Sequence, residues 1–276
     1  MLLAGEDRPP GSGRYLLGLL ARLGATVTHV PSGDALRLAV ADAPYDLFIF
    51  SDFASAHASA AVQARISAQV QAGSGLCMVG GWGSFSGPFG RWHGSLVGQL
   101  LPVRCRPRDD RTECPSGAWV LPARAHPILR GLPFGAPAAV CGLNRVRPKP
   151  DASVLLVARR LDNRAARPAA RPALEAESLP LLVIGRAGAG RTAACTTDAS
   201  PHWCGGLADW GGGRVRVRLD ATNAIEVGSA YLALFVRLFR WAARRPQRSL
   251  SRHASRGIGA APPTSPPISR RASPPS

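Results

Sequence analysis

The most informative part of the sequence is Gly75-Leu76-Cys77-Met78-Val79-Gly80-Gly81-Trp82-Gly83-Ser84-Phe85-Ser86-Gly87. Its first five residues have the apolar character of a buried strand. The remainder is a turn built from glycine, serine and aromatic residues. Strand-to-turn junctions of this kind deliver ligand sites to the carboxyl edge of an α/β sheet. The stretch therefore predicts a pocket beside the turn.

Upstream of this turn, strand and helix patterns alternate. Apolar runs predict strands, and apolar residues at a period of about 3.6 predict helices. In chain order the predicted elements are a strand at 1–5, a helix at 14–23, a strand at 25–30, a short helix at 35–41, a strand at 47–50 and a helix at 60–72. Such alternation is typical of an α/β fold with a mostly parallel sheet and helices on both faces. Glu6, Asp52 and the turn at Gly81 then emerge at the same edge of the sheet.

Downstream the helical pattern weakens. Short apolar runs separated by turns predict a β-rich extension over about 103–175, followed by a hairpin over 181–197 and a closing helix over 230–244. We expect one α/β domain over 1–245. The tail at 246–276 consists largely of Arg, Ser and Pro with few large apolar residues, a composition that predicts disorder.

The charge and the cysteines limit the function classes. The formal net charge is +17, but Lys149 is the only lysine, and much of the excess positive charge lies in the tail and near 159–171. We therefore do not expect nucleic acid as the partner, although arginine-mediated binding remains an alternative.

No apolar run is long enough for a membrane span, so we expect a cytoplasmic protein. The six cysteines form no Cys-x-x-Cys pair, which gives no reason to expect a metal, a disulfide framework or a cofactor.

Several stretches resemble one family when they are taken together. They are Leu3-Ala4-Gly5-Glu6, Tyr45-Asp46 through Ser51-Asp52, Gly80 through Gly87, Leu101-Pro102-Val103, Asp109-Asp110-Arg111, His126-Pro127-Ile128, Gly190-Arg191 and Thr197 through Trp203. In this order they are similar to the glutamine amidotransferase-like (GATase1-like) proteins of the class I glutamine amidotransferase superfamily. The resemblance implies a flavodoxin-like sheet, and it implies a reaction class only by analogy.

The catalytic residues are where the sequence departs from the superfamily. For a working class I glutaminase, the resemblance implies a Gly-x-Cys-x-Gly motif at a strand-to-helix elbow and a His-x-Glu pair on a late strand. Aligning that elbow with 79–83 puts Gly81 at the position of the thiol. Cys77 lies four residues earlier, within the strand, and we interpret it as a core thiol rather than a nucleophile. We therefore expect no glutaminase activity and no recognisable Cys-His-Glu triad.

A small ligand or a protein partner is instead expected at the carboxyl edge of the sheet. The residues predicted to form this site are Glu6, Asp52, Gly80, Gly81, Trp82, Ser84, Phe85, His202 and Trp203. The alternative is a hydrolase or amidase that uses His202 with Asp198, with Ser84 as a further candidate and with metal assistance possible through the carboxylates. Each of these residues also has a structural interpretation. The Ser84 hydroxyl can bond nearby backbone, and the carboxylates can cap loops. His202 can anchor its loop by a ring hydrogen bond, and Asp109-Asp110-Arg111 can form a local ion-pair turn.

Overall fold

A computed structural model describes residues 1–162 and 173–244. Its centre is a nine-stranded sheet in the spatial order β2-β1-β3-β4-β11-β10-β9-β6-β7. The strands of this sheet are β1 (Leu2–Gly5), β2 (Thr28–Val30), β3 (Leu47–Ser51), β4 (Gly75–Val79), β6 (Arg111–Pro122), β7 (Ala139–Asn144), β9 (Ser153–Arg160), β10 (Leu179–Ala187) and β11 (Gly190–Cys195). The α/β fold class is confirmed.

The five strands from β2 to β11 are all parallel. Their order matches the 2-1-3-4-5 arrangement of flavodoxin-like sheets, with β11 in the fifth place. Strands β10, β9, β6 and β7 continue the same sheet with antiparallel pairing. The chain between β4 and β11 is thus an insertion that extends the sheet and then returns to complete its parallel part.

Helices cover both faces of the parallel strands. They are α1 (Arg14–Leu23), α2 (Leu38–Ala41), α3 (Ala60–Ala72), α4 (Leu96–Leu100), α5 (Pro201–Cys204) and α6 (Ser229–Ala242). Leu16 and Leu19 of α1 share one apolar core with Phe235 and Phe239 of α6. Val62, Ile66 and Val70 of α3 belong to the core on the opposite face.

The strands divide their side chains between these two cores because successive residues point to opposite faces. In β4, Cys77 and Val79 belong to the core of α1 and α6, whereas Leu76 and Met78 belong to the core of α3. All five residues of β4 are buried. A continuous apolar run is what a strand covered on both sides requires.

Several predicted elements differ from those observed. The hairpin at 181–197 is confirmed as β10 and β11. The strand predicted at 25–30 begins only at Thr28, and the helix predicted at 35–41 only at Leu38. The segment at 205–213 begins with a 3-10 helix, Gly205–Asp209.

Four further strands form two small sheets. An antiparallel pair, β12 (Arg214–Arg218) and β13 (Ala224–Gly228), was not predicted. Short strands β5 (Val103–Arg104) and β8 (Arg147–Pro148) form the second pair. The predicted disordered tail at 246–276 lies outside the described residues.

Candidate functional site

A cavity of about 870 Å³ opens at the carboxyl ends of the parallel strands. Its lining comes from the segments that follow β1, β2, β3, β4 and β11. The lining residues that matter below are Glu6, Asp7, Asp52, His57, Gly81, Trp82, Phe89, Arg91, Asp198, Ser200, His202 and Trp203. Five separate segments of the sequence therefore meet around one space.

The cavity lies at the topological switch point of the sheet. Strand β1 has β2 on one side and β3 on the other, so the chain leaves β1 in one direction and later crosses to the opposite side. Open α/β sheets bind ligands in the crevice that this reversal creates. Glu6 follows β1 directly and Asp52 follows β3 directly, which places both carboxyl side chains in the crevice.

Glu6 and Asp52 share an unusual backbone conformation. Their φ angles are +62° and +51°, in the left-handed region that non-glycine residues rarely adopt. Residues held in this region cost roughly 1–3 kcal/mol each and concentrate at functional sites. The surrounding contacts hold both in place: the Ser51 hydroxyl donates to Glu6 Oε1 at 2.6 Å, and the Gly83 N–H donates to Asp52 Oδ1 at 2.5 Å.

Burial shifts the protonation of the carboxyl groups. Glu6 is 4% exposed, and this burial, reinforced by the nearby Asp198 charge, raises its pKa to about 8. Asp198 is 8% exposed and its pKa is raised to about 6, first by burial, although Ser200 donates to its carboxylate from both the hydroxyl and the backbone N–H. Burial also raises the pKa of Asp52. At neutral pH Glu6 is therefore mostly protonated.

The glycine turn is held from below by a buried polar network. Asn144, at the end of β7, accepts from the Gly81 N–H at 3.0 Å and donates to the Gly81 carbonyl at 3.2 Å. Its amide also donates to Asp110 Oδ1 at 2.7 Å, and Asp110 Oδ2 accepts from the Ser86 N–H. Asn144 and Asp110 are both buried. The antiparallel extension thereby fixes the turn that closes one side of the cavity.

This network corrects one expectation. Asp109 and Arg111 do form the predicted local ion pair, at 2.7 Å. Asp110 does not join it, because it turns inward to Asn144, and burial raises its pKa to about 6. Adjacent residues at the start of β6 point to opposite sides, so the three-residue run is not a single ion-pair turn.

We expect Asn144→Ala to lower the free energy of unfolding by about 2 kcal/mol. The substitution removes both bonds to Gly81 and leaves the Asp110 carboxyl buried with one partner fewer, and an unsatisfied buried polar group costs about 1–3 kcal/mol. Urea unfolding followed by circular dichroism measures the loss. Asn223→Ala is the control, since Asn223 bonds Asp220 in an exposed turn. Equal losses in the two variants would contradict this role for Asn144.

Three of the predicted site residues lie behind the cavity rather than in its lining. The Ser84 hydroxyl donates to the Val79 carbonyl at 2.5 Å and accepts from the Asp52 N–H at 3.0 Å, which is the structural role. Phe85 is buried in the core of α3. Gly80 donates its N–H to the carbonyls of Cys195 and Thr197. These residues shape the turn and do not line the cavity.

The thiol of Cys77 lies within the core. Its residue is 0% exposed, and burial raises the pKa of the thiol well above its ordinary value. A thiolate is the nucleophilic form, and this environment opposes it. All six cysteines lie in the part of the chain that the structure describes, and none of them is among the residues that line the cavity.

Two histidines border the cavity in different ways. His202 is exposed, and the Asp198 carboxylate accepts from the Ser200 N–H. His57, which the sequence did not single out, places Nδ1 2.8 Å from the Ser32 carbonyl. A carbonyl only accepts, so Nδ1 carries the proton and Nε2 of the neutral ring is left as an acceptor. Trp203 is buried, and its Nε1 donates to the Glu113 carboxylate.

Aromatic side chains form the rim of the cavity. Trp82 is 40% and Phe89 is 61% exposed, and their rings stack with centroids 6.4 Å apart and an interplanar angle of 29°. The Arg111 guanidinium lies 4.3 Å from the centroid of the Trp82 ring. Large exposed apolar side chains at a cavity mouth indicate a contact surface for a ligand.

Within 1–162 and 173–244, no three His, Cys, Asp or Glu residues are placed to hold a metal ion. In the same part of the chain, no helix is long and apolar enough to cross a membrane.

Known structures share the fold of this chain. One is described as a cytoplasmic protein, STM3548, from Salmonella typhimurium: it is 22% identical, has a TM-score of 0.66, and the match covers 87% of this chain and 98% of the other. A second, cytoplasmic protein STM1381 from Salmonella typhimurium LT2, is 20% identical with a TM-score of 0.64 over 87% and 98% of the two chains. At these identities the likeness establishes the fold alone. No curated protein sequence matches the chain.

The model of one protein family matches residues 45–219, more than half of the chain. This segment runs from the approach to β3 through the glycine turn and the insertion to the Asp198 loop, and so includes most of the cavity wall. The family is described as "Putative glutamine amidotransferase". The chain belongs to this glutamine amidotransferase-like family, GATase1_like, as the resemblance in its sequence predicts.

Proposed function

We propose that this protein binds a small molecule in the cavity at the carboxyl edge of its sheet and does not hydrolyse glutamine. The observation that carries the proposal is the occupancy of the elbow position by Gly81, which lines the cavity where a nucleophile would be needed. The thiol nearest in sequence, Cys77, is buried in β4.

The lining supports binding rather than amide hydrolysis. It combines carboxyl groups, imidazoles and an exposed aromatic pair, which suits a ligand with polar and apolar parts. Hydrolysis of glutamine through a thioester requires a thiolate beside a base, and the cavity offers a base without a thiol. His57 is the better placed base for any other hydrolytic chemistry, because its Nδ1 is fixed by Ser32.

A variant that fills the cavity tests the binding proposal. Ala56 is exposed and lines the cavity, so Ala56→Trp should obstruct it without disturbing the core. The control is Ala60→Trp at the start of α3, outside the lining and also exposed. The probes are benzyl, cyclohexylmethyl and butyl compounds, each as the amine, the alcohol and the carboxylate, observed by ligand NMR and isothermal titration calorimetry.

At least one probe is expected to bind the unmodified protein, to bind Ala60→Trp equally, and to bind Ala56→Trp about tenfold more weakly or worse, a loss of at least about 1.4 kcal/mol. Failure of every probe to bind, or binding that persists in Ala56→Trp, would overturn the proposal.

A further inference from the structure

The floor of the cavity holds carboxyl groups that have no cationic partner. Within the described ranges, Glu6, Asp52 and Asp198 form no ion pair with any arginine, histidine or lysine. Their hydrogen-bond donors are serine hydroxyls and backbone N–H groups. This is notable in a chain with a formal net charge of +17, where arginine is abundant. Burial raises the pKa of Asp52, and the exposed His202 offsets this in part.

Burying carboxyl groups close together is costly unless a positive charge joins them. The strongest influences on Glu6 are its burial and the charge of Asp198, and both oppose its ionisation. Asp198 is opposed by burial and by the charge of Asp52. A cation placed between Glu6 and Asp198 would relieve both effects, whereas an anion would add to them.

The rim supplies an independent indication of the ligand. Of the four large apolar side chains that are exposed in the described residues, two, Trp82 and Phe89, line this one cavity. Stacked aromatic rings at a mouth favour a ligand with an apolar or planar portion. A bare inorganic ion would leave that surface without a contact, and the carboxyl groups are not placed as a metal-ligand set.

Other titratable groups lie in or beside the cavity. Near the floor carboxyls, Asp7 lines the cavity and is exposed, whereas Tyr231 lies outside the lining and its buried hydroxyl donates to the Ala199 carbonyl. Towards the rim, the titratable groups of the lining are His57, Arg91 and His202. Arg91 and His202 are exposed, so water screens them. The buried groups at the floor are acidic, and buried charges influence a ligand more strongly than exposed ones.

We propose that the cavity takes an organic amine, with its ammonium group between Glu6 and Asp198 and its apolar portion against Trp82 and Phe89. The proposal rests on the proposed function, since it names the ligand class for the same cavity. Because Glu6 is mostly protonated in the empty cavity at neutral pH, binding of the ammonium group releases a proton from it.

The same probe series tests this assignment, because the three compounds built on one scaffold differ only in their polar group: amine, alcohol or carboxylate. The amines are expected to bind at least about tenfold more tightly than the matching alcohols, a difference of about 1.4 kcal/mol, and the carboxylates are expected to bind least. Glu6→Gln should remove the preference of the site for amines, and Phe89→Ala should weaken the benzyl and cyclohexylmethyl amines more than butylamine. Glu226→Gln, an exposed carboxylate outside the cavity, should change nothing. Calorimetry at pH 7 in phosphate and in Tris should show proton release.

The outcomes separate the two proposals. Alcohols or carboxylates could bind more tightly than the amines, and Ala56→Trp could abolish that binding. This result would leave the cavity as a ligand site and overturn the proposal that the ligand is an amine. Amine binding without proton release, or unchanged in Glu6→Gln, would also overturn the assignment. Binding of no probe would overturn both.

Discussion

Gly81→Cys is expected to lower the free energy of unfolding by about 3 kcal/mol and to create no glutaminase activity. Gly81 has φ of +149°, a conformation that side chains rarely adopt, and a Cβ at this position would overlap Asp52 Oδ1. Backbone strain and overpacking each cost roughly 1–3 kcal/mol. A thiol introduced here would displace the Asp52 carboxylate and loosen the turn.

Urea unfolding and an ammonia-release assay on the same preparation measure both effects. Gly135→Cys is the matched control, because a Cβ at Gly135 meets open space. The interpretation of the turn would be contradicted if Gly81→Cys were as stable as Gly135→Cys and also released ammonia from glutamine.

The stability of the protein should fall as the pH rises from about 5 to 8, and Glu6→Gln should remove much of this fall. The pKa of Glu6 is raised from 4.5 to about 8 by burial, so between these values the folded protein holds a proton that the unfolded chain has lost. Stability then decreases with rising pH by up to about 1 kcal/mol per pH unit. The raised pKa values of Asp198 and Asp52 act in the same direction over a lower range.

Glutamine at position 6 keeps an oxygen for the Ser51 hydroxyl and does not ionise. The variant is therefore expected to be less sensitive to pH than the unmodified protein and more stable than it at pH 8. Urea unfolding at several pH values measures the slope, and Glu226→Gln should retain the original slope. Parallel slopes for Glu6→Gln and the unmodified protein would show that Glu6 is not the group held protonated.

The parallel half of the fold could be predicted because its signals are local. Apolar runs at 47–50 and 75–79 are continuous since both faces of those strands are covered, and the helices between them keep a 3.6-residue period. The hairpin of β12 and β13 was missed. Both strands are short, β12 carries alternating arginines, and the pair packs against α1 and α6. The sequence of the two strands contains no local pattern that predicts their packing against these helices.

The candidate site was predicted in part for a similar reason. Ligand sites of α/β sheets form at the carboxyl ends of the strands, and this rule predicts which residues come together. The residues that follow strand ends or lie in the turn are Glu6, Asp52, Gly81, Trp82, Asp198, His202 and Trp203. His57 and the Asp110–Asn144 bond escaped prediction, because their partners are far away in the sequence. Ser84 and Phe85 belong to the turn but face its interior, which depends on the conformation of the turn.

We propose that the amidotransferase scaffold of this protein lacks its nucleophile. The most direct test is ammonia release from glutamine by the purified full chain, compared with Cys77→Ser. No release above the background of Cys77→Ser is expected, because the Cys77 thiol is buried and Gly81 has no side chain. Release that depends on glutamine and disappears in Cys77→Ser would contradict the account.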